Sequence, residues 1–289
     1  MEISTTALRA KRSCTSGYRW FARRFSSAAE YLQVVDALVD DGRAADACWL
    51  IDRFGPIDAV RVLERVSAEA LVFPGSLQVR YEVEVDTLLR VGGALTVGGG
   101  VRAGTTLTVD GDLRSGAGLR CGRLRCGGDL FAGWSVEAQD GLACSHELRV
   151  RGDLRCGALT VGGSAVVDGD LEVSGRADLG KSLRVGGAIA CGEGLRAGHG
   201  IQAAGGVSSG LHIDAGWGVV AGADIAADGA IRAGECVVSG GEVRSGAGYG
   251  VHAGSSVRRE AWPSCGRVVS RTRPGQLCSG LWQPTPEGA

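Results

Sequence analysis

Ten cysteines and four histidines are the residues of this chain best suited to bind a metal or to act as nucleophile and base. Nucleophilic catalysis needs the two groups within hydrogen-bond reach, and His146, His199, His212 and His252 stand in separate segments with no Ser, Cys or carboxylate partner at a matching place. Zinc sites announce themselves by paired cysteines at short spacing, and no Cys-x-x-Cys occurs. Cys121, Cys126, Cys144, Cys156 and Cys191 instead recur at one position of a repeat that elsewhere carries Val or Ala. That pattern predicts buried, reduced thiols acting as small apolar side chains. Asp110-Gly111-Asp112 and Asp168-Gly169-Asp170 offer oxygens suited to Ca²⁺. The glycine-rich nonapeptide of calcium-binding solenoids is absent, so these aspartates are expected to form turns. Phe131 and Trp134, within one repeat, and Trp217 are the candidate interaction surface. No catalytic residue, cofactor or metal is expected.

The repeat that must position these residues has six places: an aliphatic, any residue, a small apolar residue, usually Gly, and two more. Leu89-Arg90-Val91-Gly92-Gly93-Ala94 is followed without a gap by Leu95-Thr96-Val97-Gly98-Gly99-Gly100. Places one and three share a side, which is the period of a strand. Only about three residues extend before each glycine, too few for a hairpin sheet. The remaining solution is a coil with one strand per side, each strand stacking in parallel on its copy one coil away. The predicted fold class is therefore all-β: a single-stranded parallel β-helix, a triangular solenoid of about ten coils of about 18 residues. Glycine at place four is expected because it turns the corner without a Cβ penalty. Single residues are missing after Arg123 and after Ala158, each beyond a Leu-Arg-Cys-Gly, as if a block had been duplicated.

Four regions follow: a basic N-terminal arm over 1–25, a helical N-terminal cap over 26–70, the solenoid over 71–256 and a C-terminal cap over 257–289. The arm carries Arg9, Lys11, Arg12, Arg19, Arg23 and Arg24 around Trp20 and Phe21, and reads as solvated chain or a first helix. Ser27-Ala28-Ala29-Glu30 has the form of a capping box. It would open a helix with Tyr31, Leu32, Val35, Leu38 and Val39 on one face. A second helix is expected over 44–54, ending at Gly55-Pro56, and Val60-Arg61-Val62-Leu63 as a strand feeding the rod. Beyond 257, Trp262, Leu277, Leu281 and Trp282 break the repeat and read as the second cap, needed because a bare solenoid end invites association.

Net charge is −1, which gives no global attraction to nucleic acid or anionic membrane. No apolar run is long enough to span a bilayer, and the N-terminus lacks the apolar stretch of a secretion signal, so the cytoplasm is the expected compartment. Outward residues sort into three columns by side; in each, arginines are frequent but broken by other residues. They read as solvated faces with local ion pairs, not as a nucleic-acid track. A protein partner or self-association is expected, and neither a membrane, a nucleic acid nor a small-molecule substrate.

The hexads, Leu183-Arg184-Val185-Gly186-Gly187 among them, resemble the hexapeptide solenoids. They resemble equally the bactofilins, bacterial proteins whose triangular β-helices polymerise end to end. The resemblance covers 71–256. It implies either a filament former or, from the hexapeptide acyltransferases, an acyl-transfer enzyme using a His and a loop projecting from a coil. No such insertion carries a His here, and the larger residue precedes the small one, the reverse of the acyltransferase order. Bactofilins carry short tails, unlike the helical and Trp-bearing ends of this chain. The resulting expectation is a non-enzymatic scaffold or protein-interaction module, with filament and acyltransferase readings behind it.

Overall fold

Three-residue strands recur through most of the chain, each with its first and third residues buried, mostly aliphatic, and the middle one turned outward, as in Leu183–Val185 and Ile201–Ala203. Middle side chains alternate to the solvent side because successive Cβ atoms point to opposite faces. The computed structural model describes residues 1–285. In it these strands stack into a parallel β-solenoid of about 12 turns of roughly 18 residues, with a small N-terminal helical region. One side is a 13-stranded sheet running from Val60–Leu63 to Leu281–Pro284, hereafter the first face. The second face holds the strands that begin at Val66, Val83, Val101, Leu119, Val136 and Leu154; the third holds those passing Leu71, Leu89, Leu107, Leu124, Leu142 and Leu159. In the early coils a single long strand, such as Val83–Val91 or Val101–Val109, bends across the corner between these two faces. Both missing residues fall at that corner. Leu119 aligns with Val136 and Leu124 with Leu142, so the register slips between Cys121 and Arg123 and the stacking above and below is kept.

The corner glycines have a reason other than the expected one. Apart from Gly254, the place-four glycines do not belong to the glycines of positive φ, which are Gly42, Gly55, Gly141, Gly248, Gly254 and Gly280. At Gly198 a Cβ would collide with the carbonyl oxygen of Gly180 one coil below, and at Gly180 with that of Gly162. Close coil-to-coil approach, not turn conformation, demands glycine there.

The ten expected coils become about twelve because the solenoid extends beyond 71–256 at both ends. Val60–Leu63 and Val66–Phe73 form the first coil. After the 3₁₀ turn Arg259–Ala261, strands Arg267–Ser270, Leu277–Ser279 and Leu281–Pro284 resume the stack. The extra length of chain before Arg267 breaks the six-residue count, which hides these strands from a periodicity argument. The region 257–289 is thus, as far as it is described, mostly further coil.

The region 1–25 is folded. Glu2–Ser4 pairs antiparallel with Ala28–Glu30, and two helices lie between them, α1 (Thr5–Ala10) and α2 (Thr15–Phe25). Two more follow, α3 (Tyr31–Asp40) and α4 (Ala44–Phe54). Ser27 does not cap α3. Ala28–Glu30 is held as a strand, and Glu30 stands at the N-cap without a side-chain bond. Sheet pairing with the N-terminus overrides the local capping signal. Ile3, Leu8, Phe21, Tyr31, Val35, Leu38, Leu50 and Ile51 make the core of this helical unit, and Val72 of the first coil is buried among them.

Candidate interaction surface

The helical unit is joined to the solenoid through charges that sequence reasoning did not single out. Arg61 aligns with the buried Leu77 and so occupies an inward position of the first strand. Its guanidinium lies 4.5 Å from the centre of the buried Phe73 ring and pairs with Asp36 of α3 at 3.0 Å. Leu32, also on α3, packs against the solenoid core. Guanidinium stacking on an aromatic face, with a carboxylate behind it, closes an apolar cross-section without leaving a bare charge. Farther along, Arg90 is buried on the third face between Asp110 of the solenoid and Asp52 of α4, the latter at 3.0 Å. Burial alone would lower its pKa, but hydrogen bonds and charge from both aspartates raise it. At the other end Trp282 aligns with the buried Val268, packs on the core and donates its Nε1–H to Ser270 Oγ at 3.2 Å.

The cysteines lie where the repeat puts them. Cys126 and Cys144 are partners in adjacent coils, and both sulfurs contact the Gly128 carbonyl oxygen, at 3.5 and 3.3 Å. The hydrogen bond with Cys144, together with burial, raises the pKa of Cys126. Cys121, Cys156 and Cys191 occupy alternate coils of the second face, separated by Ala138 and Val173. Burial pushes each of the three up to about 12. Among the described residues no cluster of three or more His, Cys, Asp or Glu side chains is placed to hold a metal.

Asp110 pairs with Arg90, while Asp112 and Asp170 are occupied with the backbone. Asp112 Oδ1 accepts the Asp129 N–H at 3.0 Å, and Asp170 Oδ1 accepts the Ala188 N–H at 2.8 Å. Asp129 and Asp153 do the same for the next coil at 3.1 Å. Each carboxylate thus satisfies an N–H one coil on. His212 Nδ1 plays this part for Ala230 at 2.9 Å, while His199 stacks on Trp217 with ring centres 4.2 Å apart.

Phe131 is half-buried under the Arg151 guanidinium, 5.3 Å from the ring centre, and Trp134 stands beside it at the first-to-second corner, 68 % exposed. Trp217 lies several coils away at the third-to-first corner, 51 % exposed. Phe131 and Trp134 thus stand three residues apart in one coil and Trp217 lies elsewhere; all three border the first face.

Outward charges differ sharply between faces. On the second face Arg102 pairs with Glu84, Arg120 with Glu137 and Arg155 with Glu172, at 3.0–3.2 Å. On the third, Arg232 pairs with Asp214 at 3.1 Å. On the first face the central outward column runs Gln78, Thr96, Arg114, Phe131, Arg149, Val166, Arg184, Gln202, Val220, Val238, Val269 and contains no carboxylate. Arg114, Arg149 and Arg184 are exposed, and among the described residues none has an ion-pair partner. The expected local ion pairs are thus present on two faces, though not at Arg125 and Arg196 of the third, and missing from these three arginines.

A family model described as the YdhT N-terminal domain matches residues 1–54, the stretch that ends with α4 at Phe54. No curated protein matches the chain, and no solved structure does. The match coincides with the helical unit and includes none of the coils.

Proposed function

We propose that the protein is a non-enzymatic scaffold whose rigid solenoid presents its sides to a protein partner, with both ends closed. The carrying observation is the pair of end closures. Leu32, Asp36 and Arg61 cover the core at the first coil, and Trp282 covers it at the last. An uncapped solenoid would offer complementary ends and a contact that does not close into a ring. The match of the helical unit to a separate family model supports reading it as a module attached to the rod.

One observation favours a bactofilin-like filament as the competing reading. The outermost strand, Val60–Leu63, pairs on one side with Ser76–Val79, and its Val60 and Val62 are 58 % and 69 % exposed. Such an edge is a template for another strand. Light scattering of the full chain across a wide concentration range, with negative-stain images, separates the two. The capped scaffold keeps the mass of one chain at every concentration, whereas filaments from the full chain would retire it.

A further inference from the structure

The acid-free column of the first face has a period of its own. Arg114, Phe131, Arg149, Val166 and Arg184 are successive register partners, so arginine and an apolar side chain alternate from coil to coil. Neighbouring strands lie about 4.8 Å apart, which sets these arginines about 9.6 Å apart along the rod. Elsewhere on the solenoid most outward arginines have a carboxylate partner, Arg125 and Arg196 of the third face apart; here three in one acid-free column have none among the described residues. Three guanidinium forks, each able to take a carboxylate bidentately, are left at fixed intervals on a straight, rigid face.

The column is flanked at its corners by carboxylates, Asp112 and Asp129 on one side and Asp168 and Asp170 on the other, besides Glu147 and Asp153, which pair with Lys181 and Arg155. These repel a partner carrying dense, continuous negative charge, such as a phosphate chain. The column also offers one aromatic, Phe131, where non-specific binding of single strands uses stacking on successive bases. A partner with discrete charges at the arginine spacing meets neither obstacle. An extended polyproline-type segment has three residues per turn and advances about 3.1 Å per residue, so every third side chain returns to the same side after about 9.3 Å. We infer that the first face binds an extended acidic polypeptide segment in polyproline conformation, with a carboxylate at every third residue meeting Arg114, Arg149 and Arg184. Its intervening residues lie over Phe131 and Val166. This inference rests on the scaffold reading and names the chemistry of its partner.

The test uses the full chain and a synthetic peptide of six Glu-Pro-Pro repeats, with binding read by fluorescence anisotropy at low and physiological salt. Controls are the Gln-Pro-Pro peptide, a peptide of the same composition with its glutamates clustered, and an oligothymidylate of equal charge. The expected result is binding of the evenly spaced acidic peptide that weakens as salt is raised, since exposed pairs are screened over about 8 Å at physiological ionic strength. Arg149→Glu, at an exposed site, is expected to reduce affinity about tenfold or more, about 1.4 kcal/mol or more. Arg155→Glu on the second face should change it less than about twofold, with unchanged circular dichroism in both variants. No binding, equal binding of the clustered peptide, tighter binding of the oligothymidylate, or an equal loss in both variants would each overturn the inference. Failure of the peptide to bind a chain that stays single leaves the capped scaffold standing, while filament formation removes the scaffold whatever the peptide does.

Discussion

Individual side chains carry two consequences that can be measured. The inward thiols of Cys121, Cys156 and Cys191 are pushed up to about 12 by burial, against 9.0 for an unperturbed thiol. Both folded and unfolded chains keep these protons at neutral pH, so the thiols add no pH dependence there. Above about pH 9 the unfolded chain loses protons that the folded chain retains, and stability falls as pH rises toward 12. Denaturant midpoints should therefore drop between pH 8 and pH 11, and a variant with all three cysteines changed to Val should drop less. Thiol reagents should modify Cys121, Cys126, Cys144, Cys156 and Cys191 only on unfolding; rapid labelling of native protein would contradict their burial. Val185 shows the same principle for charge. It is 2 % exposed in the core column, so Val185→Asp is expected to cost several kcal/mol, on the order of 3 or more. A variant with a wild-type melting curve would mean that the third place of the repeat faces outward.

Elements in this protein are too short to be stable alone, and their stability is that of the stack. A strand such as Leu183–Val185 is meaningful only because Ala165–Val167 and Ile201–Ala203 lie on either side of it. The terminal coils have one neighbour each and depend on whatever covers the other side. At the first coil that cover is α3, through Leu32 and the Arg61–Asp36 pair. The pair is half-exposed, so its loss in Asp36→Ala should cost only roughly 1 kcal/mol. Arg61→Ala also gives up stacking on Phe73, worth up to about 2 kcal/mol where desolvated. The expected signature is early fraying of the first coils in hydrogen exchange, greater for Arg61→Ala than for Asp36→Ala, with the coils around Leu183 keeping their protection. Uniform loss of protection along the rod would show instead that the solenoid opens as one unit.

At the scale of the molecule, the three sides of the rod differ in their neighbours. The third face receives the helical unit through Val72 and Arg90, the second neutralises its own charge, and the first leaves its outward Arg114, Arg149 and Arg184 without ion-pair partners among the described residues. No helix among the described residues is long and apolar enough to cross a membrane. The proposed scaffold rests on a rod with one helical module at its base and an acid-free outward column on one side. Scattering of the full chain tests the closed ends, and peptide binding tests the free side. The two measurements depend on different residues.

Six-residue spacing by itself determined the solenoid, because a place buried in every copy can only be occupied by aliphatic or small residues, and their recurrence is visible without coordinates. It determined too that Cys126 and Cys144 stack and that the outward columns are three, while a separate helical spacing of Ala47, Leu50, Ile51 and Phe54 placed the helix over 44–54. The acid-free column was equally legible, residue by residue, once the sides were sorted. Tertiary structure alone decided what breaks the period. Ala28–Glu30 became a strand because the N-terminus returns to pair with it, and Arg61 took an inward place because Asp36 arrives from α3 to meet it. The strand Arg267–Ser270 rejoined the stack after an insertion that no repeat count crosses. Glycine at the corners was predicted for its freedom, whereas at Gly180 and Gly198 it is favoured by its size, since the carbonyl of the coil below occupies the space of a Cβ. Periodicity records which side chains face inward. Contacts between segments far apart in sequence leave no period, and they decided how the ends close and which arginines are neutralised.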